Sequence, residues 1–317
     1  MQTCLILDDY QNAALSFADW ARLAPAVQVS TVNAYISDRE ALVARIEQAE
    51  ILVIMRERTP FPADLLARLP KLKLLITSGM RNASIDLSAA RERGITVCGT
   101  DSSPTPPTEL TWALILGLAR HLPQEVANVR SGAWQNTIGT DLSGATLGIL
   151  GLGKIGARVA AIGRAFGMHV QAWSPNLTEE RAQEAGATLA RSKEALCEAS
   201  DFVTLHLVLS DRSRNIVGEP ELRRMKDSAF LINTSRAGLV DQAALVRALE
   251  KGWIAGAGLD VFDTEPLPAD SPFRHLPNVL PLPHLGYVSR DNYTRFFTQA
   301  VEDIEAWRAG TPVRQLG

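Results

Sequence analysis

Short apolar runs of β type alternate along the chain with segments of helical period. One set of runs lies at 3–7 (TCLIL), 27–32 (VQVSTV), 51–55 (ILVIM), 72–76 (LKLLI) and 95–97 (ITV). A second lies at 146–150 (TLGIL), 169–173 (HVQAW), 202–206 (FVTLH), 229–233 (AFLIN), 256–260 (GAGLD) and 279–282 (VLPL). Both sets are read as strands. Between them the period lengthens to that of helices at 38–48, 62–68, 86–93, 154–166, 178–185, 241–251 and 290–309. In 38–48, Leu42, Val43 and Ile46 fall on one face and Asp38 stands at the N-cap position. Such alternation predicts parallel sheets with helices on both faces, an α/β fold. No internal repeat or low-complexity tract points to a solenoid or a disordered tail.

Proline marks where domains meet. Residues 99–108, GTDSSPTPPT, read as an interdomain crossing. The helix expected next, 108–121, is apolar on most of its surface, which places it deep in a core or at a subunit interface. A second proline-rich stretch, 266–283, precedes the C-terminal helix. If that helix folds back, 1–100 and 287–317 form one discontinuous domain and 101–286 an inserted one. A length of 317 residues fits two domains of about 150 residues each.

Composition narrows the function classes. With 32 basic and 35 acidic residues, a nucleic-acid or membrane-surface binder is not expected. Cys4, Cys98 and Cys197 lie far apart and form no CxxC pair, so neither a metal nor a disulfide framework is expected, and a reducing, cytoplasmic compartment is. No apolar run approaches the roughly 18–20 residues of a membrane span, and MQTCLILDDY reads as a first strand, not a signal peptide.

The first chemical signal is Gly151-Leu152-Gly153-Lys154-Ile155-Gly156, a GxGxxG that follows the strand TLGIL directly and opens a helix. Glycine permits the tight turn at 151, the approach of a pyrophosphate at 153, and close helix–strand packing at 156. The helix start offers free N–H groups to the anion. A dinucleotide cofactor follows from this context. The next strand should end in an acid that binds the adenosine ribose, but Ser174 stands there. A serine does not repel a 2′-phosphate, so NADP is open beside NAD. Arg181 is the nearest cation in sequence.

Three further segments each end an expected strand: 233–241 with Arg236, 258–266 with Asp260 and Glu265, and 283–287 with His284. Ligands of α/β sheets bind at the carboxyl ends of strands. An arginine fork holds a carboxylate and polarises a neighbouring carbonyl. A histidine moves a proton on and off a hydroxyl near neutral pH, and Glu265 would favour its imidazolium and fix its orientation. Asp260 would accept a hydrogen bond from a nicotinamide carboxamide. Together these suit hydride transfer at a hydroxyl-bearing carbon.

These motifs resemble the D-isomer-specific 2-hydroxyacid dehydrogenase family over nearly the whole chain. The stretches 203–225 (VTLHLVLSDRSRNIVGEPELRRM) and 229–245 (AFLINTSRAGLVDQAAL) are similar to two family signatures, and GAGLDVFDTEPLP and PNVLPLPHLG to the segments carrying the family's glutamate and histidine. The resemblance implies that Arg236, Glu265 and His284 are the catalytic trio. It implies a Rossmann-type nucleotide domain inserted into a flavodoxin-like substrate domain, with catalysis in the cleft, and a homodimer packed through the nucleotide domains and the helix near 108–121. By position, Lys154 and Ile155 present amides to the pyrophosphate and Val208 lies against the adenosine. Thr234, Arg236 and Asp260 border the nicotinamide.

The family's substrate loop, usually Gly-Val-Gly, here reads Ser78-Gly79-Met80-Arg81-Asn82. Amides of Gly79 and Met80 are expected to hold the substrate carboxylate. Arg81 either meets an extended or acidic substrate, or points to solvent, or pairs with Asp86. The implied activity is reduction of a 2-oxo acid or oxidation of a 2-hydroxy acid, as in a glyoxylate or hydroxypyruvate reductase. A dinucleotide-sensing regulator on the same scaffold is the rival reading. The formate branch of the fold has glutamine where Glu265 stands here, which disfavours it.

Overall fold

A computed structural model describes all residues, Met1–Gly317. The chain separates into two compact units, Met1–Ser103 with Val288–Gly317, and Pro104–Tyr287. Each is built on its own all-parallel sheet.

In the first unit, five strands lie in the order β2-β1-β3-β4-β5: β1 Gln2–Ile6, β2 Val27–Thr31, β3 Ile51–Ile54, β4 Leu74–Thr77 and β5 Thr96–Gly99. This is the doubly wound order of flavodoxin-like sheets. Every residue of the central strands β3 and β4 is buried, which explains continuous apolar runs in place of alternation. The helix Arg39–Ile46 turns Leu42, Val43 and Ile46 into the core. Asp38 caps it, accepting from Ala41 N at 2.7 Å. The C-terminal helix Arg290–Arg308 returns to this unit with Phe296, Phe297, Ala300 and Ile304 buried. The chain end is stitched to β5, where Leu316 N donates to Val97 O at 2.8 Å.

The second unit holds seven strands in the order β12-β11-β10-β9-β6-β7-β8. They are β6 Thr146–Leu150, β7 His169–Trp173, β8 Thr188–Leu189, β9 Phe202–Leu205, β10 Phe230–Asn233, β11 Gly256–Leu259 and β12 Val279–Pro281. From β6 the chain winds outward to β8, then crosses back to β9 on the other side of β6. The carboxyl ends of β6 and β9 therefore flank the switch point where this topology opens a ligand crevice.

Two apolar clusters pack this sheet. One contains Leu205, Leu231, Leu245 and Leu259; the other contains Trp112, Leu147, Ile149 and Val159. The proline-bearing helix runs Thr105–Ala119, starting three residues before the expected 108. Pro106 and Pro107 occupy its first turn, where a missing N–H breaks no hydrogen bond. The helix is buried within its own unit, with Leu114 against Gly258. His121 then adopts φ 48 and starts a separate helix, Leu122–Arg130, that the pattern did not reveal. Strand β8 and the helices Lys193–Ala199 and Glu219–Leu222 also went unforeseen, each too short to show a period. No helix is long and apolar enough to cross a membrane.

Candidate active site

The glycine turn after β6 has the geometry its sequence called for. Gly151 adopts φ +103, and a Cβ there would lie 2.7 Å from the His206 carbonyl carbon. A Cβ on Gly156 would lie 2.1 Å from the Gly151 oxygen, so helix and turn touch backbone to backbone. At Gly153 a Cβ would meet nothing within 4 Å; the space above it is open. No side chain caps the helix Lys154–Ala165 that follows. Its first intrahelical bond to the turn is Ala157 N to Gly153 O, 2.9 Å, which leaves the amides of Lys154, Ile155 and Gly156 to an outside acceptor. An open cradle at an uncapped helix start fits a pyrophosphate.

Around this turn, Ser174 follows β7 half-buried, and Val208 beyond β9 is 72% exposed. His206 sits at the end of β9. Its Nε2 is 3.0 Å from Thr204 Oγ1, its buried Nδ1 has no partner, and burial pushes its pKa down to about 3. The ring is therefore neutral, while the His206 backbone lies against Gly151.

The turns after β10, β11 and β12 leave neighbouring strands at one sheet edge, because Asn233 is paired with Leu259 and Leu259 with Pro281. Asn233 shapes the first turn: its Nδ2 donates to Arg236 O at 2.9 Å and its Oδ1 accepts from Ser235 N at 3.0 Å. Ser235 Oγ ties that turn to β9 by donating to Leu205 O at 2.7 Å. Thr234 Oγ1 lies 2.8 Å from Thr111 Oγ1 on the buried helix. Arg236 is half-buried, its Nη1 donating to Ser235 O at 2.8 Å.

Glu265 and His284 form a pair. His284 Nδ1 is 2.6 Å from Glu265 Oε2, and Glu265 Oε1 accepts from Phe262 N at 2.8 Å. The carboxylate is thus fixed by backbone before it meets the ring. A carboxylate on Nδ1 keeps the proton of a neutral imidazole there and leaves Nε2 as the exchanging atom. Nε2 has no hydrogen-bond partner in the protein. His284 adopts φ +55, a left-handed conformation uncommon outside glycine and costing about 1–3 kcal/mol, of the kind that collects at functional sites. Tyr287 meets the ring edge-on, centroids 5.4 Å apart.

Asp260 has a different place from the one expected. Instead of standing open to a carboxamide, it is 0% exposed. Its Oδ1 accepts from Leu285 N at 2.6 Å and its Oδ2 from Gly286 N at 2.8 Å. It pins the two residues after His284. Burial raises its pKa from 3.8 to about 6. The folded chain therefore keeps a proton that the unfolded chain has already lost between about pH 4 and 6. Unfolding free energy should fall as pH rises through that window, by up to about 1.4 kcal/mol per pH unit. Denaturant titrations across pH 4–6 should show this slope in the wild type and a flatter one in Asp260→Asn. Parallel slopes would show that another group titrates there.

In the first unit, the loop after β4 is held by its neighbours. Ser78 Oγ accepts from Arg56 N at 3.0 Å, and Asn82 Nδ2 donates to Arg56 O at 2.6 Å and Thr77 Oγ1 at 3.0 Å. Gly79 N donates to Thr100 Oγ1 at 3.1 Å, so its amide is already engaged, and the amides of Met80 and Arg81 are the ones left open. Arg81 is exposed. Its anticipated partner Asp86 instead caps a helix, accepting from Ala89 N at 2.9 Å. The guanidinium beside the loop belongs to Arg56, which sequence reasoning missed: it reaches Gly79 because β3 and β4 pair with Ile54 opposite Thr77. A Cβ on Gly79 would lie 2.7 Å from Arg56 Nη1, at φ +92. Gly79→Ala should displace that guanidinium and cost about 1–2 kcal/mol of stability. An unchanged melting temperature would show that the loop relaxes freely.

A seven-stranded parallel sheet, a glycine turn at its switch point and a His–Glu pair on the same sheet edge define a Rossmann-type, dinucleotide-binding oxidoreductase. Residues 112–286 match the sequence model described as "D-isomer specific 2-hydroxyacid dehydrogenase, NAD binding domain". The chain belongs to the D-isomer-specific 2-hydroxyacid dehydrogenase family. It is 39% identical to a glyoxylate reductase of Aeropyrum pernix over 282 residues, 86% of this chain and 83% of that protein. It is 37% identical to a D-3-phosphoglycerate dehydrogenase of Methanocaldococcus jannaschii over 270 residues, 84% of this chain but 51% of that longer protein. The crystal structure of a phosphoglycerate oxidoreductase from Vibrio cholerae O395 superposes with a TM-score of 0.93 at 39% identity, covering 98% of this chain and 100% of that one.

Proposed function

We propose that the protein transfers hydride between a nicotinamide dinucleotide and C2 of a small 2-hydroxy or 2-oxo acid. The observation that carries this is the His284–Glu265 pair, with Nε2 open, on the same sheet edge as an uncapped glycine turn. A bound nicotinamide supplies or accepts the hydride. In the reducing direction, His284 gives the Nε2 proton to the C2 oxygen, and Glu265 holds the ring in place through Nδ1. Arg236 holds the substrate carboxylate through its fork. Asp260 acts through the backbone, fixing the turn that carries His284. Ser174 leaves room for NADP(H) as well as NAD(H).

A second copy of the chain is the expected partner. Leu122, Val126 and Val129 are 47–55% exposed on one helix, followed by Trp134 at 73% and Ile138 at 94%; exposed large apolar side chains gathered in one stretch of chain suit an interface. Three free, buried cysteines suit a reducing compartment such as the cytoplasm.

The test is absorbance at 340 nm with NADH or NADPH and a panel of glyoxylate, hydroxypyruvate, longer 2-oxo acids and a diacid. Oxidation of the nucleotide by at least one 2-oxo acid is expected. The diacid asks whether exposed Arg81 favours a second negative charge. Binding of nucleotide with no turnover on any member would replace this reading with that of a dinucleotide sensor.

A further inference from the structure

The short strand β8, invisible in the sequence pattern, brings a cation to the adenosine end of the nucleotide site. Strands β7 and β8 run parallel with Gln171 opposite Thr188 and Ala172 opposite Leu189. Ala190 N donates to Ala172 O at 2.9 Å. Continued two residues further along the chain, this register would put Arg191 opposite Ser174, just past the carboxyl ends of the two strands. Arg191 is exposed and forms no ion pair or hydrogen bond. Glu194, three residues on, is engaged by its own amide and the Ser192 hydroxyl, and Glu180 on the preceding helix by its own amide and Thr178. The Ser174 hydroxyl makes no hydrogen bond, and Asn176 is exposed on the same turn.

We propose that Arg191, with Ser174 and Asn176, forms a subsite for the 2′-phosphate of NADP(H), and that Arg191 is its cation. This rests on the dinucleotide reading of the glycine turn. A ribose 2′-phosphate carries close to two negative charges at neutral pH. It needs a guanidinium fork and a hydroxyl or amide donor, and it excludes a carboxylate at the strand end. All three conditions meet here. Arg181, the nearest cation in sequence, lies on the helix Glu179–Glu184, whereas Arg191 is delivered by the sheet register. Because it has no protein partner to lose, its removal should leave the fold intact.

The experiment is calorimetric titration of the full chain with NADPH, NADH, 2′,5′-ADP and 5′-AMP, with no turnover required. Wild type should bind NADPH and 2′,5′-ADP. Arg191→Ala should weaken both by about 10- to 100-fold, the effect of losing a charge-assisted contact. It should leave NADH and 5′-AMP within about twofold and the melting temperature unchanged. Ser174→Asp should weaken NADPH further relative to NADH. If Arg191→Ala alters phosphorylated and unphosphorylated ligands equally, or neither, the subsite is overturned and the dinucleotide reading stands. A wild type more than about tenfold tighter for NADH overturns it likewise. If no nucleotide binds at all, both readings fall.

Discussion

Replacing His284 with alanine is expected to lower kcat by about 10²- to 10⁴-fold while dinucleotide affinity stays within about twofold, the range seen when a positioned proton donor is removed. The argument is geometric. Nδ1 is committed to Glu265 at 2.6 Å, so proton exchange falls to Nε2. The dyad lies after β11 and β12, and the glycine turn after β6, so losing the ring removes nothing that holds the nucleotide. Alanine at φ +55 carries a backbone cost of about 1–2 kcal/mol. His284→Asn, which tolerates that conformation better, is therefore the companion variant and should be equally slow. Glu265→Gln should be milder. A glutamine oxygen can still accept from Phe262 N, but its NH2 then faces Nδ1 as a donor, so the ring must take the other tautomer and the carboxylate charge beside it is gone. Near-wild-type kcat in both His284 variants would remove the proton relay from the mechanism.

What could be read in advance followed the distribution of physical information along the chain. Strands buried on both faces, such as β3 and β4, declare themselves as continuous apolar runs. The glycine turn is legible because each glycine answers a local demand on backbone or space. Arg236, Glu265 and His284 could be nominated because strand ends are where such sheets place chemistry. Arg56 and Arg191 were not legible. Each reaches its place through the register of a neighbouring strand, a non-local property, and β8 has only two residues to advertise it. The position of Asp260 depends on the backbone N–H groups of Leu285 and Gly286, 25 and 26 residues onward, which no motif encodes. The helix Leu122–Arg130 hid for another reason: one left-handed residue, His121, separates it from the apolar helix before it, so the two patterns run together.

Two neighbouring glycines should separate folding from nucleotide binding. Gly156→Ala puts a methyl group 2.1 Å from the Gly151 oxygen, backbone against backbone, and neither side can give without moving the helix off β6. Overpacking of this kind costs about 1–3 kcal/mol. The melting temperature should fall, and NAD(P) affinity with it. Gly153→Ala meets nothing within 4 Å, and its φ of -86 is open to any residue, so the protein should melt as the wild type does. Yet the added Cβ would fill open space at the uncapped helix start, where a pyrophosphate must approach the backbone closely. Loss of two such amide–phosphate contacts corresponds to about a 100-fold weaker Kd for either dinucleotide, and kcat/KM should follow. The contrast matters more than either value. A destabilised Gly153→Ala would mean the turn is strained for structural reasons alone. A stable Gly153→Ala that bound nucleotide at full strength would place the cofactor somewhere other than this helix start, and His284 would then have no hydride to work beside.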